Sequence, residues 1–330
     1  MRRRDFIALL AGAAAASPLR ARAEEPDRMR RVGVLNAMTE SNPQAHAWEG
    51  AFRQRLTELG WSDGRNIRVD YRRGAVSVDR LQSFAKELVG LKPDVLVGMT
   101  TPATAALQAQ TRSIPIVFAA VSDPIGSGFV KSLASPGGNI TGFIDIEASL
   151  SGKWLELMRA VAPRVSRVAL LFNPQTAPFA RYYLETFRAA APAFAVEPIE
   201  APVRSAAEVE AVVTKLGREA NGGLILMPDA SMWDYGQAIY EAADRYRLPT
   251  IYPGSSFVAA GGLLSYGIDF LDLQRGAASY ADRILRGTKP SELPVQLPTK
   301  FELAINLKTA KTLGLTMPPS LIAVADEVIE

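Results

Sequence analysis

DVLVGMTTPATAALQAQTRSIPIVFAAV, residues 94–121, is the stretch that decides the fold class. Its two apolar runs, Asp94–Met99 and Ile114–Val121, are continuous rather than alternating, as is typical of strands buried on both faces of a sheet. Between them, Pro102–Gln110 has its proline in the first turn, where a helix tolerates it. The stretch therefore predicts a strand, a helix and a second, parallel strand.

The same alternation extends in both directions. Upstream we predict strands at Val32–Leu35 and Ile67–Tyr71 and helices at His46–Leu59 and Val78–Leu91. The pattern restarts downstream, with strands at Arg167–Phe172, Ala195–Ala201, Gly223–Met227 and Thr250–Tyr252 and helices at Ala177–Ala191, Glu208–Ala220 and Met232–Tyr246. A repeated β-α rhythm favours parallel sheets with helices on both faces, so we expect two doubly wound α/β lobes.

Three stretches rich in turn formers or proline mark joints: Ser135–Gly142, Leu263–Asp269 and Lys289–Pro298. Three joints predict that the chain crosses between the lobes three times, so that the lobes are interleaved. The first predicted lobe comprises residues 30–142 and 268–290, and the second comprises residues 143–267 and 291–330.

Composition excludes several kinds of chemistry. The 330 residues contain no cysteine and one histidine, His46, which rules out disulfides, thiolate metal sites and a cysteine nucleophile. A histidine-rich metal site is equally impossible, so we expect no metal and no cofactor. Residues 1–23 hold five arginines and one aspartate, and the remaining 32 basic and 33 acidic residues balance. The body therefore has no electrostatic footprint for nucleic acid.

The N-terminus reads as an export signal. Met1–Arg4 is cationic, Phe6–Ala16 is an apolar run too short to span a bilayer, and Ala21–Ala23 is an A-x-A cleavage site. Arg3–Ile7 resembles the twin-arginine export motif, with an ordinary Sec leader as the alternative. We expect residues 1–23 to be removed, leaving a soluble periplasmic protein with no cysteine for lipid attachment.

Ligands in an open parallel sheet bind beyond the carboxyl ends of the strands, so the polar residues that follow the predicted strands and joints are the candidate binding residues. They are Asn36, Thr100, Thr101, Ser122, Asp123, Asn173, Asp229, Tyr252, Ser255 and Asp269.

Several of these candidates have a purely structural alternative. Thr100 and Thr101 precede a helix, where hydroxyls and free N–H groups suit an anion, but the same residues can simply cap the helix. Ser122 and Asp123 either face the cleft or cap a helix that starts after them. Asp229 could accept a hydrogen bond from a ligand ammonium or cap its own helix.

The remaining candidates lie at joints or near aromatic residues. Asp269 lies at a joint, where it either reaches the cleft or bonds hinge backbone. Trp233 and Tyr252 are the aromatic residues best placed to wall a pocket.

Enzyme motifs are missing from the sequence. It contains no G-x-x-x-x-G-K-[ST] phosphate loop and no G-x-S-x-G nucleophile elbow. Gly126-Ser127-Gly128 is followed by Lys131 where the dinucleotide fingerprint requires glycine. With one histidine and no nucleophile–base pair, a catalytic function is disfavoured.

Four motifs together resemble the ABC-transporter substrate-binding family that includes tryptophan- and tyrosine-binding lipoproteins. They are FAAVSDPIG at residues 118–126, SPGGNITG at 135–142, LLSYGID at 263–269 and PTKFELAINLKTAKTLGL at 298–315. The resemblance covers residues 30–330 and implies a type I periplasmic-binding-protein fold, in which two lobes on a three-segment hinge close around a ligand.

The resemblance also implies a function. Family members of known ligand bind aromatic amino acids, so we expect a small polar or amino-acid-like ligand and delivery to an ABC permease in the inner membrane. We expect a monomer, since a permease must grip the rims of both lobes. Two alternatives stay open: an exported α/β enzyme, and the ligand-binding partner of a membrane sensor.

Overall fold

The computed structural model describes residues 28–74, 77–145 and 149–330. The predicted signal peptide, residues 1–23, lies outside the described residues. Strands β1 to β5 are Arg30–Asn36, Ile67–Arg73, Val95–Met99, Ile116–Val121 and Ile140–Ile144. Strands β6 to β12 are Arg167–Phe172, Glu197–Pro202, Gly222–Leu226, Thr250–Tyr252, Leu264–Ile268, Phe301–Asn306 and Glu327–Ile329.

The helices fall between these strands in chain order. Helices α1 to α6 are Pro43–Glu58, Val78–Gly90, Thr101–Gln110, Leu150–Val161, Ala180–Ala190 and Ala206–Gly217. Helices α7 to α12 are Ala230–Asp234, Gly236–Arg245, Ser255–Ala259, Phe270–Leu285, Leu307–Leu313 and Pro319–Ala323. None of the helices in the described ranges combines the length and the apolar character that crossing a bilayer requires.

The first sheet has the order β2-β1-β3-β4-β5 and is parallel throughout. All residues of β3 and β4 are buried. Alternate side chains enter different cores: Val95 and Val97 pack with α1 and α10, whereas Leu96 packs with α2 and α3. Helices therefore cover both faces, which confirms the predicted doubly wound architecture.

The second sheet has the order β12-β11-β10-β9-β8-β6-β7. It is parallel except that β11 pairs antiparallel with β10, and β12 runs parallel to β11. The connectivity explains the reversal. The chain leaves β10 at Ile268, passes through α10 in the first lobe and returns at the same edge, so that Phe301 lies opposite Ile268. A strand that starts where its neighbour ends has to run the other way.

The chain crosses between the sheets after β5, at residues 268–270 and at residues 297–300, close to the three predicted joints. Two of the predicted joints overlap strands that were not predicted: Ile140–Ile144 is the edge strand β5, and Leu264–Ile268 is strand β10. The first sheet also extends past the predicted lobe boundaries at residues 142 and 290, since Phe143 bridges to Gln296.

Two further differences concern helices. The predicted helix Met232–Tyr246 is two helices, α7 and α8, which meet at Tyr235. Among the described residues, five helices were not predicted from the sequence: α4, α9, α10, α11 and α12. The two longest of them are α4, which buries Trp154, and α10, which buries one face against the first sheet and α1.

The edge strand β5 depends on a close approach at Gly142. A Cβ atom at this position would lie 2.1 Å from the carbonyl oxygen of Phe118, which belongs to backbone and cannot swing away. We expect Gly142→Ala to lower the free energy of unfolding by about 1–3 kcal/mol, as overpacking does. Urea denaturation followed by circular dichroism measures this.

Gly152→Ala is the matched control. Gly152 lies in α4, where the nearest atom to an added Cβ is 3.8 Å away, and alanine is the better helix former. This variant should gain about 0.5–1 kcal/mol. Equal behaviour of the two variants would contradict the packing argument.

Candidate functional site

The carboxyl edges of the two sheets face each other across a narrow cleft. We call the residues that line it the cleft core. From the first-sheet side they are Trp48, Thr100, Thr101, Pro102, Ala120, Ser122 and Asp145, and from the second-sheet side Thr176, Phe179, Pro228, Asp229, Ala230 and Trp233. The cavity volume is about 10 Å³, which is room for about one water-sized group.

The backbone is strained where two strands of the first sheet enter the core. Thr100 has φ 108° and Ala120 has φ 56°, both unusual for residues with a side chain. The N–H of Thr100 donates to the carbonyl of Ala119 at 2.9 Å, which ties the two strand ends together. Strain of this kind persists where the surrounding structure holds it, and it concentrates at binding sites.

The Thr100 side chain is unpaired. Thr100 stands at the N-cap position of α3, but its hydroxyl makes no capping hydrogen bond, so the capping alternative does not describe it. The hydroxyl oxygen is buried without a hydrogen-bond partner among the described residues. Thr101 differs, because its hydroxyl accepts from the N–H of Ser122 at 3.3 Å. An unpaired buried hydroxyl beside a helix N-terminus suits an anionic or carbonyl group of a ligand.

Ser122 contacts a carboxylate that was not among the predicted binding residues. Its Oγ donates to Oδ1 of Asp145 at 2.7 Å, and both side chains are buried. Burial raises the pKa of Asp145 to about 7, and the serine hydrogen bond only partly opposes it. Asp145 directly follows β5, so the apolar run Ile140–Ile144 was the signal that could have found it. The predicted turn-rich joint Ser135–Gly142 covers only the first three residues of that run.

Asp229 holds its own lobe together and also faces the core. It caps α7 by accepting from the N–H of Ser231 at 3.1 Å, and it accepts from the N–H of Asn173 at 2.7 Å and from the hydroxyl of Thr176. Burial raises its pKa to about 6, against the effect of these hydrogen bonds. The predicted capping alternative is therefore realised. The Asp229 carboxylate accepts these three hydrogen bonds within its own lobe, whereas the Asp145 carboxylate accepts the one from Ser122.

Aromatic rings from the two lobes meet beside the carboxylates. Trp48 of α1 stacks on Phe270 with ring centroids 5.4 Å apart, and Trp233 of α7 meets Trp48 edge-on at 5.8 Å. The indole N–H groups of both tryptophans are buried without a hydrogen-bond partner among the described residues. Trp233 was predicted as a wall and lines the core; Trp48 was not singled out.

Hydrogen bonds hold the lobes against each other. Oδ1 of Asp234 on α7 accepts from the N–H of Thr39 at 3.2 Å, from its hydroxyl at 3.1 Å and from Nδ2 of Asn42 at 2.7 Å. Arg181 lies 3.6 Å from the carboxylate of Asp123 on the other lobe. These contacts span the two lobes, so the described conformation is closed.

Three predicted residues lie near the core without lining it. Asn36 is the buried last residue of β1, and its amide oxygen accepts from the N–H of Met38 at 3.0 Å. Asn173 supports the core indirectly through Asp229, and its amide also donates to Ser231. Asp123 accepts from the N–H of Gly126 at 2.7 Å and faces a neighbouring chamber.

The structure does not bring the other three predicted residues into the core. Tyr252 is buried in the second lobe and stacks on Phe257 at 5.2 Å. Ser255 and Asp269 line a separate cavity at the hinge. Asp269 caps α10 and accepts from Nζ of Lys300 at 2.8 Å, so it makes hinge contacts, as one alternative anticipated.

The chemistry of the core is that of a cation acceptor. Within the described residues no three histidine, aspartate or glutamate side chains are grouped so as to hold a metal ion. Two buried carboxylates with raised pKa values instead face a space of ammonium size, flanked by an unpaired hydroxyl and two indoles. A buried cation has to be paired, and this core offers the pairing.

Comparisons with known proteins point to one family. The family described as ABC transporter substrate binding protein matches residues 32–329. A tyrosine-binding protein of Clostridioides difficile is 26% identical over 288 residues, covering 87% of this chain and 82% of the relative.

Two solved structures are similar over almost their whole length. An ABC domain from Streptococcus pneumoniae in complex with L-Trp has a TM-score of 0.84 at 27% identity, covering 92% of this chain and 100% of that one. A conserved domain protein from Vibrio cholerae has a TM-score of 0.85 at 28% identity, covering 91% and 100%. The fold is that of type I periplasmic binding proteins.

Asp229 and Thr100 should contribute unequally to the stability of the ligand-free protein. Asp229→Ala removes the cap of α7 and leaves the buried N–H of Asn173 unpaired, so we expect the free energy of unfolding to fall by about 2–3 kcal/mol. Thr100→Val keeps the branched shape and removes only an unpaired hydroxyl, so stability should change by less than about 0.5 kcal/mol. Urea denaturation of both variants decides this, and equal losses would contradict it.

Proposed function

The chain belongs to the ABC transporter substrate binding protein family, and we propose from that premise that it is the periplasmic binding component of an ABC importer. Its ligand is a small amino-acid-like solute with a primary ammonium group, and aromatic amino acids are the first to test. The family consists of solute-binding proteins rather than enzymes. The protein acts as a monomer that presents the rims of both lobes to its permease.

One observation carries the choice of ligand: each lobe contributes one buried carboxylate, Asp145 and Asp229, to the same water-sized space. Removing a carboxylate from water is unfavourable unless a cation or hydrogen bonds compensate it. Each half-site is open to water when the lobes separate, and the two carboxylates come together only on closure. A ligand ammonium between them therefore favours the closed form.

Two further observations support an aromatic amino acid. The similar proteins described above are a tyrosine-binding protein and a complex with L-Trp. The Thr100 hydroxyl at the N-terminus of α3 is available for the carboxylate of such a ligand, and the two indole rings of the core lie beside its ammonium.

Closure follows from contacts that exist only when the lobes meet. Asp234 with Thr39 and Asn42, and Trp48 with Trp233, join the lobes without any ligand. A ligand that contacts both lobes adds its own differential affinity for the closed form and shifts the population toward it.

The raised pKa values predict how binding depends on pH. An ammonium needs ionised carboxylates, so protons compete with it below the pKa of Asp145, about 7. We expect the affinity for L-tryptophan to fall by up to about tenfold per pH unit between pH 7 and pH 5.5. Isothermal titration calorimetry from pH 5.5 to 8 measures this. Indole-3-propionate lacks the ammonium and should not show this loss.

The ligand-free protein should show the opposite trend. The folded-state pKa values of Asp145 and Asp229 lie above the ordinary carboxyl value of 3.8, so the folded state holds extra protons between these limits. Their contribution to stability is full below that ordinary value and is lost as pH rises through 6 to 7.

Asp145→Asn should weaken L-tryptophan binding by about 10–100-fold and flatten its pH profile. An unchanged profile would place the ammonium elsewhere.

Export is tested separately. We propose that residues 1–23 are a twin-arginine leader cleaved after Ala23, so mass spectrometry of periplasmic material should give an N-terminus at Glu24. Replacing Arg3 and Arg4 with lysine should abolish export by this route. Normal export of that variant would instead support the Sec route.

A further inference from the structure

A second, larger cavity adjoins the cleft core. We call it the chamber. It lies between α2, α3 and the 123–129 loop of the first lobe and residues 175–181 of the second, and its volume is about 490 Å³. That volume lies within the range of small-molecule sites. Both lobes contribute walls, so the chamber is complete only in the closed form.

The chamber is continuous with the core. Thr101, Pro102 and Phe179 line both cavities. The core has room for about one water-sized group, such as an ammonium, so the bulk of any larger ligand has to lie elsewhere. The chamber is the adjoining space that is large enough.

The walls of the chamber define what it can hold. Leu81, Ala106, Phe129 and Phe179 are buried apolar side chains of the lining. The charged side chains of the lining are Asp123 and Arg181, and they lie 3.6 Å apart across the lobes. These two opposite charges neutralise each other, and three glutamines add neutral polar groups to the lining: Gln82, Gln108 and Gln175.

We propose that the chamber receives the uncharged tail of a ligand whose ammonium head lies in the core. The inference rests on the proposed function and assigns different parts of the ligand to the two cavities. The core selects a primary amine, and the chamber selects a bulky apolar or aromatic tail with at most neutral polar substituents. Thr101, which lines both cavities, lies where head and tail join.

Ala105 gives a direct test. It is exposed on α3 and lines the chamber, so Ala105→Phe fills the chamber without disturbing a core. Ala109 is exposed one turn later on the same helix and is not part of the lining, so Ala109→Phe is the matched control. Ser127→Phe fills the chamber from the opposite wall and serves as a second variant. Ligand-free melting temperatures establish that all three fold.

The probes are L-tryptophan and L-alanine, which share the head and differ in the tail. We expect Ala105→Phe and Ser127→Phe to weaken L-tryptophan binding at least tenfold in calorimetry and to leave L-alanine binding unchanged. Ala109→Phe should change neither. Undiminished L-tryptophan binding by both filling variants would overturn this inference alone. Failure of the unaltered protein to bind either amine would overturn the proposed function and this inference with it.

Discussion

Burial without a cation disfavours the charged form of a carboxyl group. Two such carboxyl groups, Asp145 and Asp229, lie where the edges of the two sheets meet. Asp229 is compensated within its own lobe by Asn173, Thr176 and Ser231. Asp145 has the serine hydrogen bond of Ser122 against complete burial, and its pKa is correspondingly higher. The electrostatics of the closed cleft thus favour a cation, and this preference depends on the lobes being together.

The path of the chain through the hinge creates this arrangement. Because the chain crosses three times at one edge, β5 ends at the cleft with Asp145 immediately after it, and β11 has to run antiparallel to β10. Asp269, Lys300 and Arg275 are charged groups at the same crossings, and they pair with one another rather than with the cleft. Charges at the hinge are neutralised locally, whereas those in the cleft face each other across the lobes.

Closure also brings together apolar surface that would otherwise be wet. Trp48, Trp233 and Phe270 form one aromatic cluster across the lobes, and the buried indole N–H groups in it have no partner in the described part of the chain. Such a cluster stabilises the closed form through its area while leaving polar atoms to be satisfied. A binding protein needs weak closure without ligand and stronger closure with ligand. In the cleft core, the aromatic contacts favour closure without ligand, and the polar atoms left without partners add to closure when a ligand pairs with them.

The amino-acid sequence by itself determined the two α/β halves, because continuous apolar runs of strand length between amphipathic stretches have few other solutions. It also determined Thr100, Thr101, Ser122 and Asp229 as core residues, since the carboxyl ends of parallel strands meet at one edge. Only the tertiary structure decided which polar side chains remain without a hydrogen-bond partner. The Thr100 hydroxyl makes no capping hydrogen bond, whereas the side chains of Asn36 and Asp269 accept hydrogen bonds from nearby backbone N–H groups. Asp145 was identified as a core residue only once β5 was known, because the turn-forming residues before this strand hid its apolar pattern in the sequence. The pairing of groups from opposite lobes depends on how the hinge closes, and no local pattern in the chain encodes that distance.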